Sequence, residues 1–268
     1  MLRTRIITAL ALLAVFLVTL FVLPKPYPAI VFAALAVLMG WEWTGLMSAD
    51  RNGRFIFAAV ILLSCLVIYR DFYPDFNKLW LLSAAFWLLL APFWLRRGWR
   101  ISGSFWKEIA GYLTGLIVIM PIWAAVTALQ EQTPWWLLAV MGVVWVADIS
   151  AYFAGRAWGR RKLAPAISPG KTWEGVAGAV LGVGLYCLIV GWAVGAPWTA
   201  RSLIWAPAIL LAVALSVVGD LFESMIKRQA GVKDSGRLLP GHGGFLDRLD
   251  SQTSLLPLAA LIFFWEPA

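Results

Sequence analysis

The sequence predicts an all-α, polytopic integral membrane protein with about nine transmembrane helices. Of its 268 residues, 62% are hydrophobic and only 13% are charged, and the mean hydropathy is +0.81. A soluble chain of this length cannot bury so much apolar surface, and a disordered chain requires low hydrophobicity, so both classes are excluded. The apolar runs are also longer and more continuous than the alternating strands of a membrane β-barrel.

Nine apolar segments follow one another, and a membrane span needs about 20 residues. They cover residues 6–23, 28–47, 54–70, 79–95, 109–129, 135–154, 173–195, 202–222 and 252–265. The first resembles a signal peptide because Arg3 and Arg5 precede it, but no small-residue cleavage site follows before Pro24, which favours a retained helix. The last is the shortest. We find no internal repeat, and we interpret residues 1–268 as one membrane-embedded domain.

The basic residues predict how these helices are oriented. With a cytoplasmic N-terminus, 18 of the 22 lysines and arginines fall on the inner side. The four on the outer side are Lys25, Arg70, Lys78 and Arg201. The positive-inside rule therefore predicts an N-in, C-out topology. The net charge of +8 then reflects basic inner loops and gives no indication of nucleic-acid binding. Two inner connections, 155–172 and 223–251, are long enough to carry function.

Aspartates approach the membrane from this inner side. They are Asp148, Asp220, Asp247 and Asp250. Each alone could be a helix-end charge in interfacial water, but a buried carboxylate is costly unless it is paired or bound to a cation, so convergence on one site is favoured. Several carboxylates with few local cations suggest Mg²⁺, with room for a second cation. An ion-pair network is the alternative, and its basic members would be Lys227, Arg228 and Arg248.

Helical spacing sharpens this prediction. At 100° per residue, Asp220, Ser224 and Lys227 fall within about 60° of one another, so a carboxylate, a hydroxyl and an ammonium share one face. Asp247 and Asp250 are three residues apart and share a face if that stretch is helical. We therefore expect a catalytic centre made by these five residues.

A glycine-rich turn precedes Asp247. Gly241, Gly243 and Gly244 allow the backbone to approach an anion closely, and their N–H groups can cradle a phosphate. His242 is the single histidine of the chain. A lone histidine is more often structural, but glycine neighbours and nearby carboxylates favour a role in the site.

The other long loop offers Ser168, Lys171 and Thr172 before the seventh span. Gly170-Lys171-Thr172 resembles the end of a P-loop, but Pro165 stands where the first glycine belongs, so a P-loop is excluded. One interpretation is a basic loop in which Thr172 caps the helix. The other, which we favour, is a set of groups offered to a phosphate at a helix start.

Two weaker features complete the pattern. Glu42 lies between Trp41 and Trp43 and is interpreted as interfacial, with a role in the site left open. Gly178-x-x-x-Gly182 in the seventh span indicates close helix packing, and such glycine-rich spans are compatible with a homodimer.

The C-terminal segment resembles the bacterial phosphatidate cytidylyltransferase (CDP-diacylglycerol synthase) family. That family's signature is filled at every fixed position from Ser224 to Asp250, through Ser224-Met-Ile-Lys-Arg, Lys233-Asp-Ser-Gly and Leu239-Pro-Gly-His-Gly-Gly-Phe-Leu-Asp-Arg-Leu-Asp250. Upstream, Asp148-x-x-Ala-Tyr-Phe-x-Gly and Ile167-Ser-Pro-x-Lys-Thr-Trp-Glu-Gly175 also resemble it. Gly170 departs from the second lysine that many members carry.

The resemblance implies that CTP and phosphatidic acid give CDP-diacylglycerol and pyrophosphate with Mg²⁺, at the cytoplasmic face of the bacterial inner membrane. It implies metal ligands at Asp220, Asp247 and Asp250, with Asp148 as a further candidate. The substrate-binding residues it implies are Ser168, Lys171, Thr172, Arg228, Lys233, His242, Gly243, Gly244 and Arg248. One alternative is a CTP-dependent lipid or polyprenol kinase. A transporter of an anionic lipid is less favoured, because transporters place their charges near the bilayer midplane, often with repeats.

Overall fold

Helices make up most of the structure, a computed structural model that describes residues 2–72, 76–98, 100, 105–195 and 205–265. Seven helices in this part of the chain are long and apolar enough to cross a membrane. Two shorter apolar helices lie near its ends, Ile6–Phe21 and Gln252–Phe264. The all-α, polytopic prediction is confirmed, and the count of nine spans stays a prediction.

The first third of the chain forms three helices and an interrupted fourth span. Helix α1 is Leu2–Phe21, α2 is Tyr27–Leu46 and α3 is Arg51–Phe72. The fourth span consists of α4 (Asn77–Ala85), a π-helical turn (Phe86–Leu90) and α5 (Ala91–Arg97). Pro92 lacks the N–H that would bond to the Leu88 carbonyl, which accounts for the wider turn.

The rest of the chain carries the two long loops. The helices are α6 (Phe105–Gln132), α7 (Pro134–Trp158), α8 (Trp173–Ala193), α9 (Trp205–Gln229), the short α10 (Leu246–Leu249) and α11 (Gln252–Phe264). Strands β1 (Lys162–Ala164) and β2 (Ser168–Thr172) form an antiparallel hairpin between α7 and α8. The sequence predicted only a loop there, because a three-residue strand leaves no periodic pattern.

The core surrounds α6, which packs against α2 and α11. Ile119, Ala124 and Leu129 of α6 are fully buried, and so is Trp80 of α4. A second cluster joins α7 to α8, where a Cβ on Gly182 would collide with the Ser150 side chain. The prediction that small residues let these helices pack closely is therefore confirmed.

Contacts between loops agree with the predicted sides of the membrane. Lys25 Nζ lies 3.3 Å from Glu131 Oε2; Lys25 was assigned to the outer side, and Glu131 falls there too, between the predicted segments 109–129 and 135–154. Lys171 pairs with Asp220, and both were assigned to the inner side. The absolute N-in orientation and the single-domain assignment stay predictions. Arg201, the fourth outer basic residue, lies outside the described residues.

Candidate functional site

Asp220 of α9 is the centre of the first group of polar residues. Its Oδ2 lies 2.5 Å from Lys171 Nζ, and its Oδ1 accepts a hydrogen bond from Ser224 Oγ at 3.2 Å. The Lys171 and Asp220 side chains are each about one-quarter exposed, at 24% and 26%. The first long inner loop therefore meets the inner end of α9 at this place. The face that Asp220 shares with Ser224 is as predicted.

The hairpin positions Lys171 for this contact. In β1–β2, Lys162 pairs with Thr172 and Ala164 pairs with Ser168. Thr172 ends the strand and caps α8, because its Oγ1 accepts a hydrogen bond from Gly175 N at 3.1 Å. The capping role of Thr172, the interpretation that the sequence favoured less, is thus confirmed, and its role in phosphate binding stays a prediction. The cap fixes the backbone of Thr172, which follows Lys171 directly. The position of the Lys171 ammonium is therefore restricted to the reach of its own side chain.

Asp148 of α7 and Asp250, between α10 and α11, bring two more carboxylates to Asp220. Asp250 interacts electrostatically with both Asp220 and Asp148, and Asp148 also interacts with Lys171 and Arg248. We call Asp148, Asp220 and Asp250 the carboxylate cluster. Burial, followed by the negative charge of Asp220, raises the pKa of Asp250 to about 7, although its carboxylate accepts a hydrogen bond from Ser251 N. Burial and the repulsion between these carboxylates therefore oppose the ionisation of Asp250.

Asp247 lies in a different environment, in which both oxygens of its carboxylate accept hydrogen bonds. Its Oδ1 accepts a hydrogen bond from Lys227 Nζ at 2.7 Å, and its Oδ2 accepts from Ser235 N and Gly244 N, both at 2.8 Å. Burial opposes ionisation, but these bonds outweigh it and lower the pKa of Asp247. Lys227 Nζ also lies 3.0 Å from Glu223 Oε1. Lys227 thus bonds with Glu223 and Asp247, while Lys171 pairs with Asp220.

Glu42 of α2 extends this network and is the residue that the sequence did not assign to the site. Its side chain is buried, with the residue only 3% exposed. Glu42 Oε1 accepts from Phe245 N at 3.1 Å, and Oε2 accepts from Leu246 N at 2.9 Å. Ser235 Oγ lies 3.2 Å from Glu42 Oε2 and 3.0 Å from Asp247 Oδ2, so its one proton serves one of the two carboxylates.

We call Glu42, Ser235 and Asp247, with Lys227, the anchor network. It fixes the segment between α9 and α11 through Glu42 of α2 and through Lys227 of α9. The available signal for Glu42 was a carboxylate inside an apolar run, since such a charge needs a partner. The tryptophans on either side directed the interpretation towards the membrane interface instead.

The glycine turn adopts the conformations that its residues suggest. Gly241 and Gly243 have φ of +78° and +82°, which side chains rarely adopt, and a Cβ on Gly243 would lie 2.6 Å from Asp247 Oδ2. The N–H of Gly244 is used by Asp247, so it is not free for a phosphate. Within the described residues, His242 Nδ1 is buried and has no hydrogen-bond partner, and the predicted role of His242 in the site stays a prediction.

The remaining predicted residues lie at the margin. Ser168 is half-buried in β2, while Arg228, Lys233 and Arg248 are exposed. Arg228 donates to the Val232 carbonyl at 3.4 Å, and Arg248 interacts electrostatically with Asp148. Their binding roles stay predictions.

The oxygen atoms of the site decide whether it suits Mg²⁺. Carboxylate oxygens are the preferred ligands of Mg²⁺, and a cation would relieve the repulsion between the members of the carboxylate cluster. Among the described residues, no three histidine, cysteine or acidic side chains already form a ligand set. The cluster therefore fits a divalent cation in chemistry, and Asp247 fits less well because its oxygens are already engaged.

Known proteins resemble this chain over nearly its whole length. The model of the cytidylyltransferase family matches residues 3–265. The chain belongs to the cytidylyltransferase family. Among curated relatives, the phosphatidate cytidylyltransferase of Pseudomonas aeruginosa is 39% identical, over 98% of this chain and 97% of that protein. The Haemophilus influenzae protein of the same name is 35% identical, over 99% of both chains.

A more distant relative carries the same name and also matches over nearly the whole chain. The phosphatidate cytidylyltransferase of Thermotoga maritima is 30% identical, over 98% of this chain and 96% of that protein. The family predicted from Ser224 to Asp250 is therefore confirmed, and the similarity extends far beyond that signature.

Proposed function

We propose that this protein is a phosphatidate cytidylyltransferase that converts CTP and phosphatidic acid into CDP-diacylglycerol and pyrophosphate. The observation that carries the proposal is the carboxylate cluster beside Lys171, in a chain of the cytidylyltransferase family. Asp148 lies ten residues before the end of α7, about 15 Å along its axis. Asp148 is exposed and Asp220 and Asp250 are half-buried, so the cluster is open to a lipid headgroup and a nucleotide.

The reaction requires little proton chemistry. An oxygen of the lipid phosphate attacks the α-phosphorus of CTP, and the bond to the bridging oxygen of the β-phosphate breaks as pyrophosphate leaves. The attacking phosphate is already ionised, so a strong general base is unnecessary. Catalysis then depends on aligning two anions and on stabilising the charge that moves to the leaving group.

The cations of the site divide this work. Lys171 is partly exposed and reaches the cluster from the hairpin, so it is placed to exchange Asp220 for a phosphate oxygen. Lys227 is held by Glu223 and Asp247, and it orients the loop while presenting positive charge next to the reacting groups. Ser224 holds one oxygen of Asp220, and His242, whose buried Nδ1 has no partner among the described residues, is a further candidate for contact with substrate.

Mg²⁺ dependence is part of the proposal. Asp220 and Asp250, with Asp148, are the residues that would hold the cation, and Asp247 would support them by fixing the loop. When bound, the cation would supply neutralising charge for the triphosphate. Lys171 would then be released from Asp220 and become available to substrate.

The proposed setting is the cytoplasmic face of the bacterial inner membrane, in phospholipid biosynthesis. The long apolar helices and the relatives support a multi-pass membrane enzyme. The excess of basic residues on one side supports the cytoplasmic position of both long loops, where CTP is present. Glycine-rich spans support, at most, a homodimer.

The deciding experiment follows two labels of CTP through purified protein with phosphatidic acid and Mg²⁺. A cytidylyltransferase transfers the α-phosphate label to the lipid and releases the γ-label as pyrophosphate. A CTP-dependent kinase would place the γ-label on the lipid, and a transporter would label no lipid. Transfer of the γ-label, or no transfer by protein that is folded and saturated with Mg²⁺, would contradict the proposal.

A further inference from the structure

An apolar cavity of about 250 Å³ lies between α1, α2 and α6, open on one side. Its walls include Leu12 and Val15 of α1, Val31 and Leu35 of α2, and Val126 of α6. We call it the α1–α2 groove. The hydroxyl of Thr19, which also lines the groove, donates to the Val15 carbonyl within α1 at 2.8 Å, so it adds no free donor.

One end of the groove lies at the loop that carries the site. Leu239, Phe245, Arg248 and Leu249 of that loop form part of its wall. The loop also bonds to α1, because Thr8 Oγ1 donates to the Pro240 carbonyl at 3.1 Å. The anchor at Glu42 places Met39, one turn earlier on α2, at the same end.

The other end lies deeper among the helices. From Met39 to Val31 the groove follows α2 for about 12 Å, and α1 runs beside it from Leu12 to Thr19. Phe21 of α1 contacts Trp135 of α7, with ring centroids 4.9 Å apart, and closes the gap beyond Thr19. Helix α1 is therefore attached near both ends and leaves an apolar channel between.

We propose that the α1–α2 groove binds one acyl chain of phosphatidic acid, with Arg248 at its mouth facing the lipid phosphate. The inference deepens the proposed function and rests on it. Arg248 is exposed, is next to Asp247 in sequence, and interacts electrostatically with Asp148 of the carboxylate cluster. A chain in the groove thus leads its headgroup to the reacting groups.

The shape excludes a larger occupant. A helix with its side chains is about 10 Å across, which a groove of this volume cannot admit, so a second copy of the chain does not fit. A single flexible hydrocarbon chain does fit, and burial of its methylene groups supplies the affinity. A bulk lipid chain is the remaining competitor, and it differs by having no preference for a phosphate at Arg248.

The test compares two neighbouring substitutions on α2. Val31→Trp fills the deep end of the groove, whereas Ile30→Trp adds the same ring to a side chain that is 58% exposed outside the groove. kcat/KM is measured with dioleoyl and dihexanoyl phosphatidic acid. We expect the long-to-short ratio to fall about tenfold in Val31→Trp, since contact with about two methylene groups is lost, and to stay at the wild-type value in Ile30→Trp.

An unchanged ratio in Val31→Trp, or the same change in both variants, would overturn the inference. If Val31→Trp does not fold, wild-type protein is cross-linked with phosphatidic acid that carries a photoactivatable group in one acyl chain. Labelling of Val31 and Leu35 that excess phosphatidic acid removes, but excess diacylglycerol does not, would support it. Labelling that neither lipid removes would show a bulk lipid chain and overturn it.

The two proposals fail separately. Absence of any cytidylated lipid from wild-type protein would count against the proposed function. Cross-linking needs no turnover, so it decides the occupant of the groove in either case.

Discussion

The carboxylate cluster and the anchor network use the same residue types in opposite ways. In the anchor network, Asp247 accepts hydrogen bonds from Lys227, Ser235 and Gly244, and its pKa is lowered. In the carboxylate cluster, Asp250 faces the charges of Asp220 and Asp148, and its pKa is raised to about 7. Asp247 and Asp250 are three residues apart, so it is the supply of donors around each that separates a supporting residue from one poised for a ligand.

Asp220→Asn should break the carboxylate cluster with the largest effect on rate. The substitution keeps the size of the side chain and removes the charge that faces Lys171, so we expect turnover to fall about 10²-fold or more. We also expect the Mg²⁺ concentration for half-maximal activity to rise, because one anionic ligand is lost. Ser224→Ala is the control, because it removes one hydrogen bond to Asp220 and keeps the charge.

Steady-state rates over a range of Mg²⁺ concentrations, with thermal unfolding of the same preparations, make the measurement. The comparison also predicts that Asp247→Asn loses thermal stability while Asp220→Asn does not. Near-normal rates at low Mg²⁺ in the Asp220, Asp247 and Asp250 variants together would place the site elsewhere.

Substitutions of the two lysines should have the next largest effects, and these effects should differ between the anchor network and the carboxylate cluster. Lys227→Met leaves Glu223 and Asp247 buried without their ammonium, so we expect a lower kcat and a loss of about 3 kcal/mol in the free energy of unfolding. Lys171→Met, at a partly exposed position, should raise the KM for CTP or phosphatidic acid with little loss of stability. Neither should raise the Mg²⁺ requirement. Wild-type kcat and KM in both variants would show that these lysines serve only the topology.

Glu42→Gln should have a moderate effect that tests the anchor network from α2. The amide keeps one acceptor, but its NH₂ group would face a backbone N–H, so we expect the loop to loosen and kcat/KM to fall about tenfold. Glu108→Gln, at an exposed position on α6, is the matched control. The measurement is kcat and KM for both substrates. Wild-type constants in Glu42→Gln would mean that the loop is held without this carboxylate.

Asp250→Asn should give the smallest change in stability, and the sign of that change distinguishes the two regions. Because the fold raises the pKa of Asp250 to about 7, the folded protein retains a proton that the unfolded chain has already lost. Stability from this group is therefore present at acid pH and is lost as the pH rises towards 7. We expect Asp250→Asn, without Mg²⁺, to melt about 3 °C above wild type at pH 8 and closer to it at pH 5.

Thermal unfolding at both pH values, with and without Mg²⁺, makes that measurement. Added Mg²⁺ should stabilise wild type and not the variant. A variant that is less stable than wild type at pH 8 without Mg²⁺ would show that Asp250 is already neutralised within the fold.

Sequence patterns could predict the helices but not all of their ends and interruptions. The continuous apolar runs predicted each span, because the bilayer demands such runs. The π-helical turn at Phe86–Leu90 was not predicted, since it changes hydrogen bonding without changing composition. The cap at Thr172 was one of two interpretations, and it could be recognised because the signal is local, three residues from its Gly175 donor.

The sequence could predict which residues belong to the site. It could not predict that they divide into the carboxylate cluster and the anchor network. The helical face of α9 indicated Asp220 with Ser224, and it also placed Lys227 there, whereas Lys227 turns to Glu223 and Asp247. Partners that come from distant segments leave no local spacing. Glu42 is the clearest case, because the residues it binds follow it by about 200 positions.

That separation has a consequence for how the protein is made. The bond from Phe245 N to Glu42 joins residues 203 positions apart. During synthesis α2 enters the membrane with its carboxylate while the donors for it have not yet been translated. Until the last tenth of the chain has left the ribosome, Glu42 therefore lacks these donors and must be protonated or remain close to water. A chain that stops early keeps an uncompensated acid at the membrane, and no partly made copy can assemble the loop on which the reaction depends.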